Sequence, residues 1–193
     1  MIGIVIVGVG GQGTLLASKI LGYLALEHGY DVRVSEVHGM SQRGGSVVTY
    51  VRMSPDEKVY STIVEQEQAD VVLAFEKLEA LRALPYVKPE TGVMIVNTQQ
   101  LLPMPVIIGA AKYPEDALES VRKGAKNVIE LDATSIAHEC GTYKAANVVL
   151  LGVLARKLPF SHEAWMKAIE ANVKPKFVDM NKAAFEKGYN FAQ

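Results

Sequence analysis

The sequence opens with an apolar run at residues 4–7 that leads directly into the glycine-rich stretch GVGGQG, residues 8–13. Gly8, Gly10 and Gly13 have the G-x-G-x-x-G spacing, and the segment that follows from Thr14 has the composition of a helix. Glycines at this spacing permit a tight turn and let another group approach the backbone closely. A strand, a glycine turn and a helix in this order predict the first unit of an α/β fold, with free N–H groups at the start of the helix.

Short runs rich in Val and Ile recur along the chain with helical segments between them. They lie at residues 4–7, 32–34, 71–75, 93–96 and 128–131. Continuous apolar runs of this length are typical of strands covered on both faces, and their alternation with helices indicates parallel crossovers. The sequence therefore predicts a Rossmann-like, doubly wound α/β fold with a mainly parallel sheet and flanking helices. Residues 47–53 mix polar with β-branched and aromatic residues, which favours an antiparallel or edge strand.

Two predicted helices, residues 14–28 and 143–157, are apolar on nearly every side. Such helices are buried, either inside their own domain or under a partner, and two of them in a small domain suggest a missing neighbour. Asn147 stands among apolar residues in the second helix, which favours a structural hydrogen bond over a catalytic role. A last helix is predicted at 179–187, ending at Gly188.

Composition limits the function classes. The length predicts a single domain spanning residues 1–193. The 20 basic and 21 acidic residues give a net charge of −1, and no basic stripe is present, so nucleic-acid binding is not expected. No apolar stretch reaches the roughly 18 residues of a membrane span, and the first residues read as a strand and not as a signal peptide, which predicts a cytoplasmic protein without a membrane anchor. The single cysteine, Cys140, excludes an iron–sulfur cluster held by this chain alone.

A second glycine-punctuated stretch, HGMSQRGG at residues 38–45, follows the second predicted strand. It places an imidazole, a hydroxyl, an amide and a guanidinium close together between glycines, on His38, Ser41, Gln42 and Arg43. The carboxyl ends of the strands form the ligand crevice of an open α/β sheet, so this loop is expected to lie beside the glycine loop. It is the best site candidate in the sequence.

The residues alone leave the ligand open. Glu36, at the end of the second predicted strand, suits the ribose contact of a nicotinamide-binding site, and this keeps NAD or flavin binding by a stand-alone oxidoreductase as an alternative. Gln12 and the polar loop after Glu36 have no obvious use in such a site. Thr14 stands where a P-loop requires lysine, which excludes a kinase-type phosphate loop.

The two loops together resemble the gamma-type component of the 2-oxoacid:ferredoxin oxidoreductases. The likeness extends to the segments at 145–147, 151–152 and 184–188 and so covers nearly the whole chain. The pyruvate and oxoglutarate types carry aromatic or acidic residues where this chain has HGMSQ, and this favours the indolepyruvate type. A gamma component for another 2-oxoacid, such as pyruvate or 2-oxoglutarate, remains the alternative within the family.

The resemblance implies CoA-dependent oxidative decarboxylation of a 2-oxoacid to an acyl-CoA, CO2 and reduced ferredoxin. It implies a large partner subunit that holds thiamine diphosphate, Mg and the iron–sulfur clusters, with CoA as co-substrate and ferredoxin as electron acceptor. This chain would bind none of these groups alone, would hold no metal and would be inactive alone. A partner would also cover the two apolar helices. A scaffold that only mediates assembly is the remaining alternative.

Under this interpretation the two loops face the partner's thiamine pocket. Arg43 would pair with a carboxylate or phosphate through its planar guanidinium, and His38 and Gln42 would supply orienting hydrogen bonds as the catalytic set. The remaining loop residues are predicted to contact cofactor or co-substrate: Gly8, Gly10, Gly11, Gln12, Gly13, Ser41, Gly44 and Gly45.

Overall fold

A computed structural model describes residues 1–39 and 44–191. Its six strands are β1 (Ile2–Val9), β2 (Asp31–His38), β3 (Ser46–Ser54), β4 (Val71–Ala74), β5 (Val93–Asn97) and β6 (Asn127–Leu131). Its helices are α1 (Thr14–Glu27), α2 (Lys77–Ala83), α3 (Met104–Ile107), α4 (Ala117–Gly124), α5 (Ala133–Glu139), α6 (Ala146–Ala155), α7 (His162–Asn172) and α8 (Val178–Phe191). The predicted α/β class is confirmed, with helices on both faces of one sheet.

The strands are ordered β2-β3-β1-β4-β5-β6. The pairs β1–β4, β4–β5 and β5–β6 are parallel, while β3 is antiparallel to both β1 and β2. The sheet is therefore mixed, with a parallel majority. Since β3 reverses direction between β1 and β2, the carboxyl ends of the other five strands and the start of β3 all lie at one edge of the sheet.

The apolar strand runs divide between two layers of the core. Along β1, Ile4 and Ile6 face the layer of α1, α6, α7 and α8, while Val5 and Val7 face the layer of α2 and α4. Alternate side chains of a strand point to opposite faces, so a strand covered on both faces must be apolar at every position.

The second strand does not fit the prediction of a doubly covered strand. β2 lies at the edge of the sheet, beside β3, and Val34 and Val37 are exposed. The prediction for residues 47–53 is confirmed as antiparallel, but β3 is an inner strand. The sequence pattern did not predict this order because the β3 residues that pair with β1 lie 37 to 51 positions away along the chain.

Helix α6 is covered by this chain itself, and the predicted need for a missing neighbour is wrong there. All of its residues from Asn147 onward are buried, and α8 packs along it. Gly188 lies inside α8 and does not end it, contrary to the prediction. A Cβ on Gly188 would come within 1.9 Å of the Val149 carbonyl oxygen, and one on Gly152 within 2.2 Å of the Phe185 carbonyl oxygen. These two glycines let the backbones of α6 and α8 approach each other closely.

Candidate functional site

The glycine loop joins β1 to α1 at the carboxyl edge of the sheet. Gly11 and Gly13 have φ values of +102° and +88°, in the left-handed region that glycine adopts without steric cost. Gly13 is the N-cap of α1 and offers no side chain to the first turn. Because the first N–H groups of a helix have no partner within it, this end of α1 is suited to an acceptor from outside.

Asn147 holds the loop from the side of α6. Its Nδ2 donates to the Gly13 carbonyl oxygen at 3.2 Å, and its Oδ1 accepts from the Val148 N–H at 2.9 Å. A Cβ on Gly13 would lie 2.5 Å from the same Nδ2. The predicted structural bond of Asn147 is confirmed, and glycine is required at position 13 by space as well as by conformation.

Gln12 ties the loop to the neighbouring strands. Its Oε1 accepts from the Val9 N–H at 2.7 Å, and its Nε2 donates to the Phe75 carbonyl oxygen at 3.0 Å. A Cβ on Gly8 would lie 3.0 Å from that Oε1 and 3.1 Å from the Phe75 Cβ. Gly8 therefore makes room for the folded-back amide of Gln12, which fixes the shape of the turn.

The second loop meets the first at the same edge. The Gly10 N–H donates to the Gly45 carbonyl oxygen at 2.8 Å, and the Gly44 N–H donates to the Gly10 carbonyl oxygen at 3.5 Å. His38 is exposed at the end of β2, with its Nδ1 2.9 Å from the Gly39 carbonyl oxygen. Ser41, Gln42 and Arg43 lie outside the described residues.

A cavity of about 330 Å³ lies between the two loops, lined by Gly10, Gly13, Glu36 and His38 among others. The Glu36 Oε2 accepts from the hydroxyl groups of Thr14 at 3.3 Å and Thr49 at 3.1 Å. In a dinucleotide-binding fold the acidic residue ends the strand next to β1. Here β3 stands between β1 and β2, which places the strand of Glu36 about 4.8 Å farther from β1 than in that fold, although the carboxylate still reaches Thr14.

Glu76, two residues after the end of β4, is a buried carboxylate that the sequence pattern did not reveal. Its Oε2 accepts from the N–H groups of Leu78 and Glu79, and its Oε1 accepts from the Leu101 N–H at 3.1 Å and the Tyr113 hydroxyl at 2.8 Å. Burial and then this hydrogen bond raise the pKa of Tyr113 above its ordinary value. A single acidic residue after an apolar strand was the only local signal, because its partners lie up to 37 positions away.

One oxygen of Glu76 thus anchors both ends of the segment from Leu101 to Tyr113. Between the anchors the segment exposes apolar side chains on and beside α3: Leu102, Met104, Ile107 and Ile108 are 49 to 70% exposed. Together with the glycine loop and α2, the segment encloses a largely apolar groove of about 460 Å³ that also contains Glu76 and Glu79. Exposed apolar groups gathered on an anchored loop are typical of an interaction surface.

The described residues do not form a metal or cluster site. Within the described ranges, no three His, Cys, Asp or Glu side chains converge as ligands. Cys140 is a half-buried free thiol. In the same part of the chain, no helix has the length and apolar character to cross a membrane.

Comparison with known proteins gives concordant matches. The family model described as pyruvate ferredoxin/flavodoxin oxidoreductase matches residues 3–191. The chain is 44% identical to the indolepyruvate oxidoreductase subunit IorB of Thermococcus kodakarensis, over 98% of this chain and 95% of that protein. It is 43% identical, with the same coverage, to the IorB subunit of Pyrococcus horikoshii. The crystal structure of the pyruvate oxidoreductase subunit PORC of Thermotoga maritima superposes with a TM-score of 0.72 at 28% identity, over 97% of this chain and 94% of that one.

Proposed function

Because this chain belongs to the pyruvate ferredoxin/flavodoxin oxidoreductase family, we propose that it is the small subunit of an indolepyruvate-type 2-oxoacid:ferredoxin oxidoreductase. The complex would convert an arylpyruvate, CoA and two oxidised ferredoxins into an aryl-acyl-CoA, CO2, a proton and two reduced ferredoxins. The observation that carries the proposal is the 44% identity to an indolepyruvate oxidoreductase subunit along almost the entire chain. In this proposal the complex works in the cytoplasm.

The redox groups of the reaction do not fit this chain. Iron–sulfur clusters are usually held by four thiolates, and the sequence contains one cysteine. The described residues also bring no acidic cluster together that would hold the metal of a diphosphate cofactor. Thiamine diphosphate, Mg and the clusters are therefore assigned to a large partner subunit, where thiamine supplies the carbanion chemistry of decarboxylation.

The contribution of this chain is assigned to the two loops at the carboxyl edge. Their backbone hydrogen bonds, between Gly10 and the pair Gly44–Gly45, join them into one surface. We assign to Arg43 the recognition of a carboxylate or phosphate of the 2-oxoacid, CoA or the thiamine diphosphate, because a planar guanidinium binds such groups with two parallel bonds. His38 and Gln42 would orient the same group, and the loop glycines with Gln12 and Ser41 would let it approach the backbone.

The partner subunit is expected to cover the apolar surface beside these loops. Met104, Ile107 and Ile108 are each more than 60% exposed, although their segment is anchored by a buried carboxylate. A firmly held loop that presents apolar side chains to water gains free energy when a partner covers them. This surface adjoins the glycine loop through the groove described above.

The alternative of a stand-alone NAD- or flavin-dependent enzyme is disfavoured by the strand order. Insertion of β3 separates β2 from β1, and the Glu36 carboxylate already accepts two threonine hydroxyls. Calorimetric titration with NADH tests this alternative directly. Saturable NADH binding that is lost in Gly10→Ala would favour the stand-alone enzyme over the subunit.

The decisive experiment co-expresses this chain with its large subunit and assays viologen reduction with CoA across a panel of 2-oxoacids. We expect arylpyruvates to be the preferred substrates and the isolated chain to be inactive. Arg43→Lys keeps the charge but not the planar fork, so it should raise KM or lower kcat, whereas Arg33→Lys on the far end of β2 serves as the control. The proposal would be refuted by a complex that assembles but fails to reduce viologen with every 2-oxoacid of the panel. Full activity after replacement of His38, Gln42 and Arg43 would favour the alternative that this chain is a scaffold that only mediates assembly.

A further inference from the structure

Hydrogen bonds at the carboxyl edge fix the orientation of the Gln99 amide. The Val9 N–H can only donate, so the Gln12 atom that it meets is Oε1, and Gln12 Nε2 must then be the donor to the Phe75 carbonyl oxygen. The same Nε2 lies 3.0 Å from the Gln99 side chain, which must present its oxygen there. Because this assignment starts from a backbone N–H, the oxygen and the nitrogen of the Gln99 amide cannot be exchanged.

The hydrogen bonds of the Gln99 side chain to described residues consequently use its oxygen and not its NH2 group. Its Oε1 accepts from Gln12 and also lies 3.5 Å from Asn97 Nδ2. Its Nε2 has no hydrogen-bond partner among residues 1–39 and 44–191, although the side chain is half-buried. Among the described residues only the Trp165 indole nitrogen is buried without a partner, so the Gln99 NH2 group is open to water, and an acceptor from outside can reach it.

Gln99 lines a crevice of about 360 Å³ between the glycine loop and the start of α6. Lys144 and Thr134 line the same crevice, and Lys144 is exposed at its rim. Tyr143, 60% exposed, and the buried Leu150 add apolar surface. The crevice thus combines hydrogen-bond donors, a cation and an apolar wall.

Charge distinguishes this crevice from the two cavities described above. The cavity between the loops contains Glu36, and the apolar groove contains Glu76 and Glu79 against one cation, Arg82, which is already paired with Glu79 at 2.6 Å. Carboxylates at those positions repel anions, while no carboxylate lines the crevice of Gln99 and Lys144. Of the three, this one has the electrostatics of an anion site.

We propose that this crevice binds the oxyanion of a small organic ligand, a carboxylate or a phosphate, with Gln99 Nε2 and Lys144 Nζ as the donors. Carboxylates and phosphates share the acceptor oxygens and the negative charge that these donors recognise. The proposal requires neither the loop at 38–45 nor turnover by the complex, so it stands or falls separately from the proposed function.

The test uses the full chain labelled with 15N and follows the Gln99 side-chain NH2 resonances by NMR. Inorganic phosphate and sodium acetate are titrated separately, with sodium chloride at matched ionic strength as the reference. Saturable shifts with phosphate alone indicate a phosphate-bearing ligand, with acetate alone a carboxylate, and with both a general oxyanion site. Equal shifts with chloride, or no shift with either probe, would overturn the proposal.

Variants separate recognition from folding. Gln99→Glu keeps the oxygen that accepts from Gln12 but replaces the donor with a negative charge, so binding should be lost, as followed through neighbouring backbone resonances, while the fold is retained. Lys144→Gln should weaken binding about tenfold, the loss expected for one charge-assisted hydrogen bond. Lys58→Gln, which removes the same charge near the opposite edge of the sheet, is the matched control and should bind as the parent does. Unchanged binding in both Gln99→Glu and Lys144→Gln would refute the assignment.

Discussion

The close contact of α6 and α8 makes a sharp prediction about Gly188→Ala. The added Cβ would lie 1.9 Å from the Val149 carbonyl oxygen, whereas ordinary contacts begin near 3.4 Å, so the helices would have to separate by about 1.5 Å. Alanine is favoured over glycine inside a helix by about 1 kcal/mol. Overpacking costs about 1–3 kcal/mol and occasionally more, and a clash with helix backbone belongs at the upper end. The net expected loss is therefore about 2 kcal/mol or more.

The same substitution at Gly22 is the matched control. Gly22 lies inside α1, and the nearest atom to its added Cβ is 3.9 Å away, on Val34. With no clash to offset the helix propensity, Gly22→Ala should raise stability by roughly 0.5–1 kcal/mol. Glycine-to-alanine substitution is thus expected to lower the free energy of unfolding in α8 and to raise it in α1.

Thermal and urea unfolding of the full chain, followed by circular dichroism, measures both variants. At this chain length 1 kcal/mol corresponds to about 2–4 °C in Tm, so Gly188→Ala should lower Tm by about 4–8 °C and Gly22→Ala should raise it slightly. A Gly188→Ala variant as stable as Gly22→Ala would show that the stability of the fold does not depend on the close approach of α6 and α8.

Three further predictions follow from the fold and the site. Burial and then the hydrogen bond with its neighbouring tyrosine raise the pKa of Tyr50 to about 12 from 10.0. Its stabilising contribution is therefore complete below pH 10 and is lost as the pH rises toward 12, so the urea midpoint should fall over this range. The fall should be smaller in Tyr50→Phe, and an equal fall in both proteins would contradict the assignment to Tyr50. Met104→Glu should leave the isolated chain folded but reduce co-purification with the large subunit, while Leu26→Glu, an equally exposed position at the far end of α1, should not; equal recovery of both complexes would exclude the α3 segment from the interface. Asn147→Ala removes the bond to the Gly13 carbonyl oxygen and should cost about 1–3 kcal/mol, with faster amide exchange in the glycine loop, and unchanged exchange would show that the loop holds its shape without it.

The adjacency of the two loops was predicted from the sequence, and the residues that support the loops were not. The loops at 8–13 and 38–45 could be placed side by side from sequence because both follow strands that run in the same direction. Glu76 and Gln99 gave no such signal, since their importance comes from partners that lie 25 to 87 positions away along the chain. Hydrogen bonds between distant segments are decided by the packing of the sheet and cannot be read from a local pattern.

The sequence by itself determined the α/β class, the glycine turn between β1 and α1, and the absence of cluster ligands, because apolar periodicity, glycine conformation and residue chemistry are local properties. Only the tertiary structure decided that β3 separates β1 from β2, that Gly188 packs against Val149 and does not end its helix, and that Gln99 and Lys144 line one crevice. Each of these depends on which distant surfaces fit together, and that fit is a property of the whole packed chain.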